Sequence, residues 1–494
     1  MDIAVTHTPA AQDTSEIYSP SFDHASFLAL LQQASERAIR SGQEVLASFT
    51  QPVVPRDPLQ AFVALKALNL GDSVFWARPA EQRALVGVGV TLTVETSGST
   101  RVTAAAAAWR DLQHKAVVGK TPGVTPGQTD GPILFGGFTF DPLNPRTELW
   151  EGFPDGLLLL PYLLFHRNET SAAITVNTLV KPTDDIAQRS EEIAGDMQRL
   201  QASLKGSEAR SYALESTTQT LTVRDILPAS VWMDQVAHAV EMIGQGAFEK
   251  VVLARSVRVT NERSTFDIAA ILHRLRESYP KAYVFALERN GRSFVGATPE
   301  RLVCGADGQL LTMALAGSYP RGETQEEDER LGNELLRSEK NQGEHHVVVA
   351  TISRALANLC SRVWVADAPR LLKLKNIQHL ETPIAGDLLP GHSILEAIED
   401  LHPTPAVGGF PRLPALEAIR EYEHLDRGWY ASPIGWIGAS GNGEFAVALR
   451  SGLVEGNVAT LFAGCGIVAD SQLQSEYDES CLKLQVMLRG LGGE

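Results

Sequence analysis

Four short apolar runs, at residues 283–287, 293–297, 301–304 and 309–313, follow one another with only brief gaps between them. A parallel crossover needs about a dozen residues or more, so these runs read as antiparallel hairpins. Long helical stretches lie beside them, at 325–359 and from about 473 to the end, with shorter helices near 394–401 and 413–424. Strands are expected at 250–260, as a pair within 371–388, and as three runs between 433 and 468. Hairpins mixed with long helices fit an α+β class rather than a regular βαβ repeat. No internal repeat of fixed period is present.

The region before residue 225 reads differently. It holds an amphipathic helix at 25–46, strands at 73–76, 84–94 and 132–140, a Gly/Pro/Thr-rich loop at 117–132, and a polar connector at 203–222. Trp232, Val236, Val240 and Ile243 recur at helical spacing, with Ser230 as the expected cap. Two sequence regions follow from this reading: a variable N-terminal part at 1–215 and a second region at 225–494. Gly87-Val-Gly89 is only a fragment of a dinucleotide fingerprint, because no third glycine opens a helix after it.

Charge excludes some partners. Lys and Arg number 43 against 59 Asp and Glu, a formal charge of −16, which disfavours nucleic acid or an anionic membrane as the main partner. The four cysteines, Cys304, Cys360, Cys465 and Cys481, are too scattered for a disulfide framework or a zinc knuckle. The apolar run at 157–165 is interrupted by Pro161 and is too short to span a bilayer. The first residues lack the basic and apolar blocks of a signal peptide, so a soluble, cytoplasmic protein is expected.

Three features carry chemistry. Glu344 lies one turn before Val347 and Val348 on the inward stripe of the long helix, where a carboxylate needs either a cation or an ion-pair partner. In the last helix Glu476, Glu479 and Lys483 share one face, as they would on a solvated surface. Just before them runs Phe462-Ala-Gly-Cys-Gly-Ile-Val468, whose glycines let an anion approach backbone N–H groups. An anion seat beside two carboxylates is the setting in which Mg²⁺ bridges protein to ligand. Lys250 opens an apolar strand, either as a general base or as a charge that protects a sheet edge.

Seven ordered segments then coincide with a known pattern. They are Glu249-Lys-Val-Val-Leu-Ala-Arg255, Gly296-Ala-Thr-Pro-Glu-Arg-Leu302, Leu315-Ala-Gly-Ser-Tyr-Pro-Arg-Gly322, Ser338-Glu-Lys-Asn-Gln-Gly-Glu-His345, Gln378-His-Leu380, Leu401-His-Pro-Thr-Pro-Ala-Val-Gly-Gly-Phe-Pro411 and Gly464-Cys-Gly-Ile-Val468. Together they resemble the chorismate-utilising enzymes, and among them the isochorismate synthases of menaquinone or siderophore pathways. The resemblance is strong over 225–494 and loose before it, at Phe75-Trp76 and Gly136-Gly-Phe138.

That resemblance implies an α/β sandwich in which both regions give strands to two large, mainly antiparallel sheets around a central cleft. It implies Lys250 as the base that activates water and Glu300 as the acid that protonates the leaving C4 hydroxyl of chorismate. Mg²⁺ would be held by Glu344 and Glu479, with Glu476 through water. Substrate would meet His379, Tyr430, Arg450, Gly317, Ser318, Ala406, Gly464, Gly466 and Lys483. Relatives of the aminodeoxychorismate type carry a lysine nucleophile where this chain has Ala316, and Pro405-Ala-Val-Gly-Gly-Phe-Pro411 resembles the synthases that use water, so water is the implied attacker and no glutaminase partner is expected. A salicylate synthase, which goes on to eliminate pyruvate, and a non-catalytic chorismate-binding subunit are the alternatives. The chain would act as a monomer or homodimer, with length favouring the menaquinone branch.

Overall fold

The computed structural model describes residues 21–121, 131–207, 220–373 and 377–493. Among the described residues are 21 strands joined by hydrogen bonds into one network, and eleven α-helices packed against it. Pairing is antiparallel except between Val45–Val53 and Val117–Lys120. The class is α+β, as the hairpin spacing requires.

Two arms diverge from one long pair, Arg83–Thr96 with Gly156–Arg167. The first arm passes through Ser73–Arg78, Tyr283–Arg289, Arg292–Thr298, Ser451–Glu455 and Val458–Ile467 to Lys250–Asn261. The second leaves the other edge of Gly156–Arg167 through Ile133–Phe138, Pro433–Gly438, Gly443–Val447, Arg301–Ala306 and Gln309–Pro320 to Ile377–Leu388. These arms are the two expected sheets, joined at a shared strand. Strands from before residue 215 sit inside both.

Alternation along each strand divides the core. Trp76 points between the arms, where it meets Phe135 and Tyr283, while its neighbour Phe75 points outward to Phe62. The inner layer is an aromatic wall that includes Trp150, Phe294, Trp429 and Phe462, all buried. The outer layer seats the helices His24–Ser41, Pro58–Lys66, Ile268–Ser278 and Leu473–Gly490. No described helix is long and apolar enough to cross a membrane.

Several local expectations are corrected. The first helix stops at Ser41 because Gly42 takes a left-handed conformation (φ 67°), and Val45–Val53 is a strand. The stretch 325–359 is two helices, Gln325–Arg337 and Glu339–Ala357, because extended Ser338 ends the first and caps the second by accepting from Asn341 N–H. Ser230 lies within Ala229–Gly244, whose cap position is Pro228. Four strands, not three, occupy 433–468. Gly87 sits inside a strand where a Cβ would strike Pro161, so it serves close packing. Val117–Lys120 is a strand, while 122–130 of the expected loop and 208–219 of the expected connector fall outside the described residues.

Candidate active site

Two very short links cross from one arm to the other. Pro299-Glu300 joins Arg292–Thr298 to Arg301–Ala306, and Ala448-Leu449-Arg450 joins Gly443–Val447 to Ser451–Glu455. Of these link residues Pro299, Glu300, Leu449 and Arg450 face the cleft. A cavity of about 300 Å³ opens there, and every residue named above as catalytic, substrate-binding or metal-holding lines it. Local sequence alone could not have gathered Lys250, Glu344 and Glu479, whose elements are far apart in the chain.

The strand Lys250–Asn261 forms one wall with Val458–Ile467, setting Val252 opposite Gly466 and Ala254 opposite Gly464. Val252 N–H donates to Gly408 O (3.1 Å) and Ala254 N–H to the Glu423 carboxylate (2.7 Å), both away from the partner strand. By antiparallel geometry Gly464 and Gly466 therefore turn their own main-chain groups to the opposite edge. There the Gly464 carbonyl accepts from Lys483 Nζ at 2.8 Å. A Cβ on Gly466 would stand 2.8 Å from Lys250 Cε, so glycine is what lets that side chain lie across the strand.

Charge in the cavity is arranged in pairs. Lys250 Nζ meets Glu344 Oε1 at 2.6 Å, and Lys483 Nζ meets Glu479 Oε1 at 2.6 Å. Inward-facing Glu344 thus has Lys250 as its ion-pair partner. Glu300 is 8% exposed, and burial pushes its carboxyl up to about 7 although Arg450, Lys250 and Lys483 pull the other way. Burial, then Arg450 and Lys483, pushes His379 down to about 4, so the ring is neutral while its Nδ1 lies 2.7 Å from Ser318 Oγ. Tyr430, 2% exposed and stacked on Phe462, is raised by burial to about 12 and stays a phenol.

Arg450, with Lys483, is common to all three effects. Its backbone is left-handed (φ 50°), a conformation that costs a non-glycine residue about 1 kcal/mol or more and persists where the surroundings fix it. Arg450→Lys should raise KM for a carboxylate substrate more than it lowers kcat, because the two parallel hydrogen bonds of a guanidinium are lost. Steady-state kinetics checks this.

The carboxylates also fit a hard cation. Oxygens of Glu476 and Glu479 lie, with Cys465 Sγ, within 4.8 Å of one another, and Glu344 lines the same cavity. Burial raises the Glu476 carboxyl, and the charge of Glu479 raises it further despite Ser471 Oγ at 2.7 Å. Burial alone would raise Glu479 too, but Lys483 and then Arg450 bring it below the ordinary range. Cys465 is already engaged with Glu476 O (3.2 Å), and burial raises its thiol to about 12, so the oxygens are the donors a Mg²⁺ ion prefers.

One pair under the cavity escaped the sequence reading. Arg427, 2% exposed, donates to Glu423 Oε1 (2.6 Å), Val252 O (2.6 Å) and Val407 O (2.9 Å), and lies over the Phe140 ring. It ties the strand of Lys250 to the turn of Ala406. Only the i, i+4 spacing of Glu423 and Arg427 signals it in the sequence, and that spacing is common on helix surfaces. Arg427→Met should destabilise by about 3–5 kcal/mol, because Glu423 is left buried without its cation. Glu423→Gln with Arg427→Met should recover part of that loss in denaturant unfolding.

A pocket that sets Lys250, Arg450 and Lys483 beside a buried acid and a cluster of glutamates suits a small anionic molecule. The family model described as chorismate binding enzyme matches residues 30–492. The chain belongs to that family. It is 38% identical over 476 residues to isochorismate synthase MenF of Bacillus subtilis, covering 93% of this chain and 96% of that one. It is also 38% identical over 470 residues to the salicylate biosynthesis isochorismate synthase of Pseudomonas aeruginosa, covering 93% and 94%. The solved structure of MenF, the menaquinone-specific isochorismate synthase from Escherichia coli, matches with a TM-score of 0.74 at 26% identity, over 93% of this chain and 99% of that one.

Proposed function

We propose that this protein is an isochorismate synthase, converting chorismate to isochorismate by adding water at C2 and expelling the C4 hydroxyl. One observation carries this reading: an amine at Lys250 and a buried, protonatable acid at Glu300 open into one cavity with Arg450 and Lys483. The full-length likeness to proteins named isochorismate synthases supports it.

Each residue has a job set by its chemistry. The Lys250 amine takes a proton from water as its oxygen bonds to C2. Glu300 gives its proton to the C4 oxygen, so that water leaves rather than hydroxide; each transfer is worth roughly 10²–10⁴-fold. Both ring double bonds move as this happens, from C1=C2 and C5=C6 to C6=C1 and C4=C5, and afterwards Lys250 carries one extra proton and Glu300 lacks one. Arg450 and Tyr430 hold the enolpyruvyl carboxylate, Lys483 with the Gly464 and Gly466 amides holds the other, and His379, Ser318, Gly317 and Ala406 bound the ring. When bound, Mg²⁺ at Glu344, Glu479 and Glu476 supplies positive charge for the ring carboxylate. Ala316 places no side-chain amine beside the ring, so no covalent attack from that position competes with water.

We place the reaction in the cytoplasm, where its four free cysteines remain thiols, and in menaquinone formation, as for the menaquinone-specific enzyme of Escherichia coli that it matches along most of its length. The test is purified protein with chorismate and Mg²⁺, the products separated by chromatography. Isochorismate alone is the expected result, lost with a chelator and restored by Mg²⁺. Salicylate with pyruvate would make it a salicylate synthase, and no turnover a binding subunit.

A further inference from the structure

Glu300 hangs on a link of two residues, and the first of them, Pro299, has no N–H to anchor it. What fixes the acid is its neighbour on the other side of the proline. Thr298 is fully buried, and its Oγ1 both accepts from Glu300 N–H (3.2 Å) and donates to Val447 O (2.6 Å). Val447 N–H donates back to Glu300 O (3.0 Å), and Ala297 N–H donates to Arg450 O (3.1 Å). Val447 O also accepts from Leu449 N–H (2.7 Å), so the same carbonyl shapes the turn that sends Arg450 into the cavity.

We infer that Thr298 is a positioning residue for the reaction: its hydroxyl stitches the two links between the sheets and holds the Glu300 carboxyl in register with the substrate that Arg450 binds. The inference rests on the isochorismate synthase reading. A β-branched side chain has few rotamers, so the hydroxyl is held at one spot. Proton transfer needs the donor within hydrogen-bond reach, and a shift of about 1 Å can cost about 100-fold. A threonine kept only for packing would be replaceable by valine, which has the same shape.

Thr298→Val, Thr298→Ser and Thr298→Cys, with the wild type, would be assayed with chorismate and saturating Mg²⁺ after thermal unfolding shows each folded at the assay temperature. Thr298→Val should lower kcat about 10- to 100-fold while KM changes by less than about threefold, and Thr298→Ser should stay within about threefold of the wild type. The alkaline limb of kcat should move to lower pH in Thr298→Val, because a Glu300 carboxyl released from the hydroxyl's hold on its backbone can swing toward the solvated cavity. The charges facing Glu300, those of Arg450, Lys250 and Lys483, are unchanged by the substitution. Should the valine variant not fold, Thr298→Cys serves in its place, since a thiol keeps the volume and hydrogen-bonds weakly. A folded valine or cysteine variant with wild-type kcat, or a serine variant as impaired as valine, would overturn the inference. An inactive wild type would instead count against the proposed function itself.

Discussion

Glu300→Gln should lose about 10²–10⁴ in turnover and at the same time make the folded protein more stable above neutral pH. A glutamine has the shape of the acid but no proton to give, so the C4 hydroxyl would have to leave as hydroxide. The stability gain follows from burial. The carboxyl has an ordinary value of 4.5 and is raised to about 7 in the fold. Between those values the folded state holds a proton that the unfolded chain has released, so raising the pH favours unfolding. The penalty is absent below about 4.5, grows through the window, and is complete above about 7, where it is about 3 kcal/mol. Denaturant unfolding of the wild type from pH 5 to 8 should show that decline, and the variant should lack much of it. The wild-type rate should fall along the same alkaline limb. A glutamine variant that turned over normally would remove Glu300 from the acid's role.

Lys250→Ala should be as damaging, again about 10²–10⁴-fold, and the fold should survive because the side chain lies over Gly466 at the cavity's wall and not in a packed core. The sharper variant is Lys250→Arg. It keeps a positive charge beside Glu344, so a lysine serving only that ion pair would be replaced with little loss. A guanidinium does not give up its proton near neutrality, so a lysine serving as the base would not. Both variants should be inactive with near-native unfolding temperatures. A near-normal rate in Lys250→Arg would show that the base lies elsewhere.

Much of this site was legible in the sequence because its residues stand in short, ordered segments whose chemistry is distinctive. Lys250, Glu300 and Glu344 stand in those segments, Arg450 and Glu479 follow from the resemblance the segments carry, and the fold gathers all five into one cavity. Their partners in that cavity were less legible. The Lys250–Glu344 pair joins residues far apart in the chain, and no local period announces such a contact. Arg427 and Glu423 look like an ordinary surface pair until the turn at Val407 closes over them.

For the fold, period and turn chemistry located most hairpins and the helix Ile394–Leu401, with its Ser393/Glu396 capping box. They failed where one apolar pattern ran on through a break, as at Gly42 and Ser338. The pairing of Ser73–Arg78 with Tyr283–Arg289, which builds the N-terminal part into the first sheet, is a long-range choice made by packing. The same holds for the two links between the arms. Residues 299 and 300 look like any tight turn, yet they change sheets, and that crossing is what aims Glu300 into the cleft.

The origin of the new hydroxyl oxygen is the most direct test. A single turnover of chorismate by this protein in water enriched in ¹⁸O, with Mg²⁺ present, should give isochorismate labelled at the C2 oxygen, the C4 oxygen having departed unlabelled into solvent. Isochorismate carrying only the substrate's own oxygen would mean that the hydroxyl migrates within the molecule, and no water-activating base would then be needed at position 250.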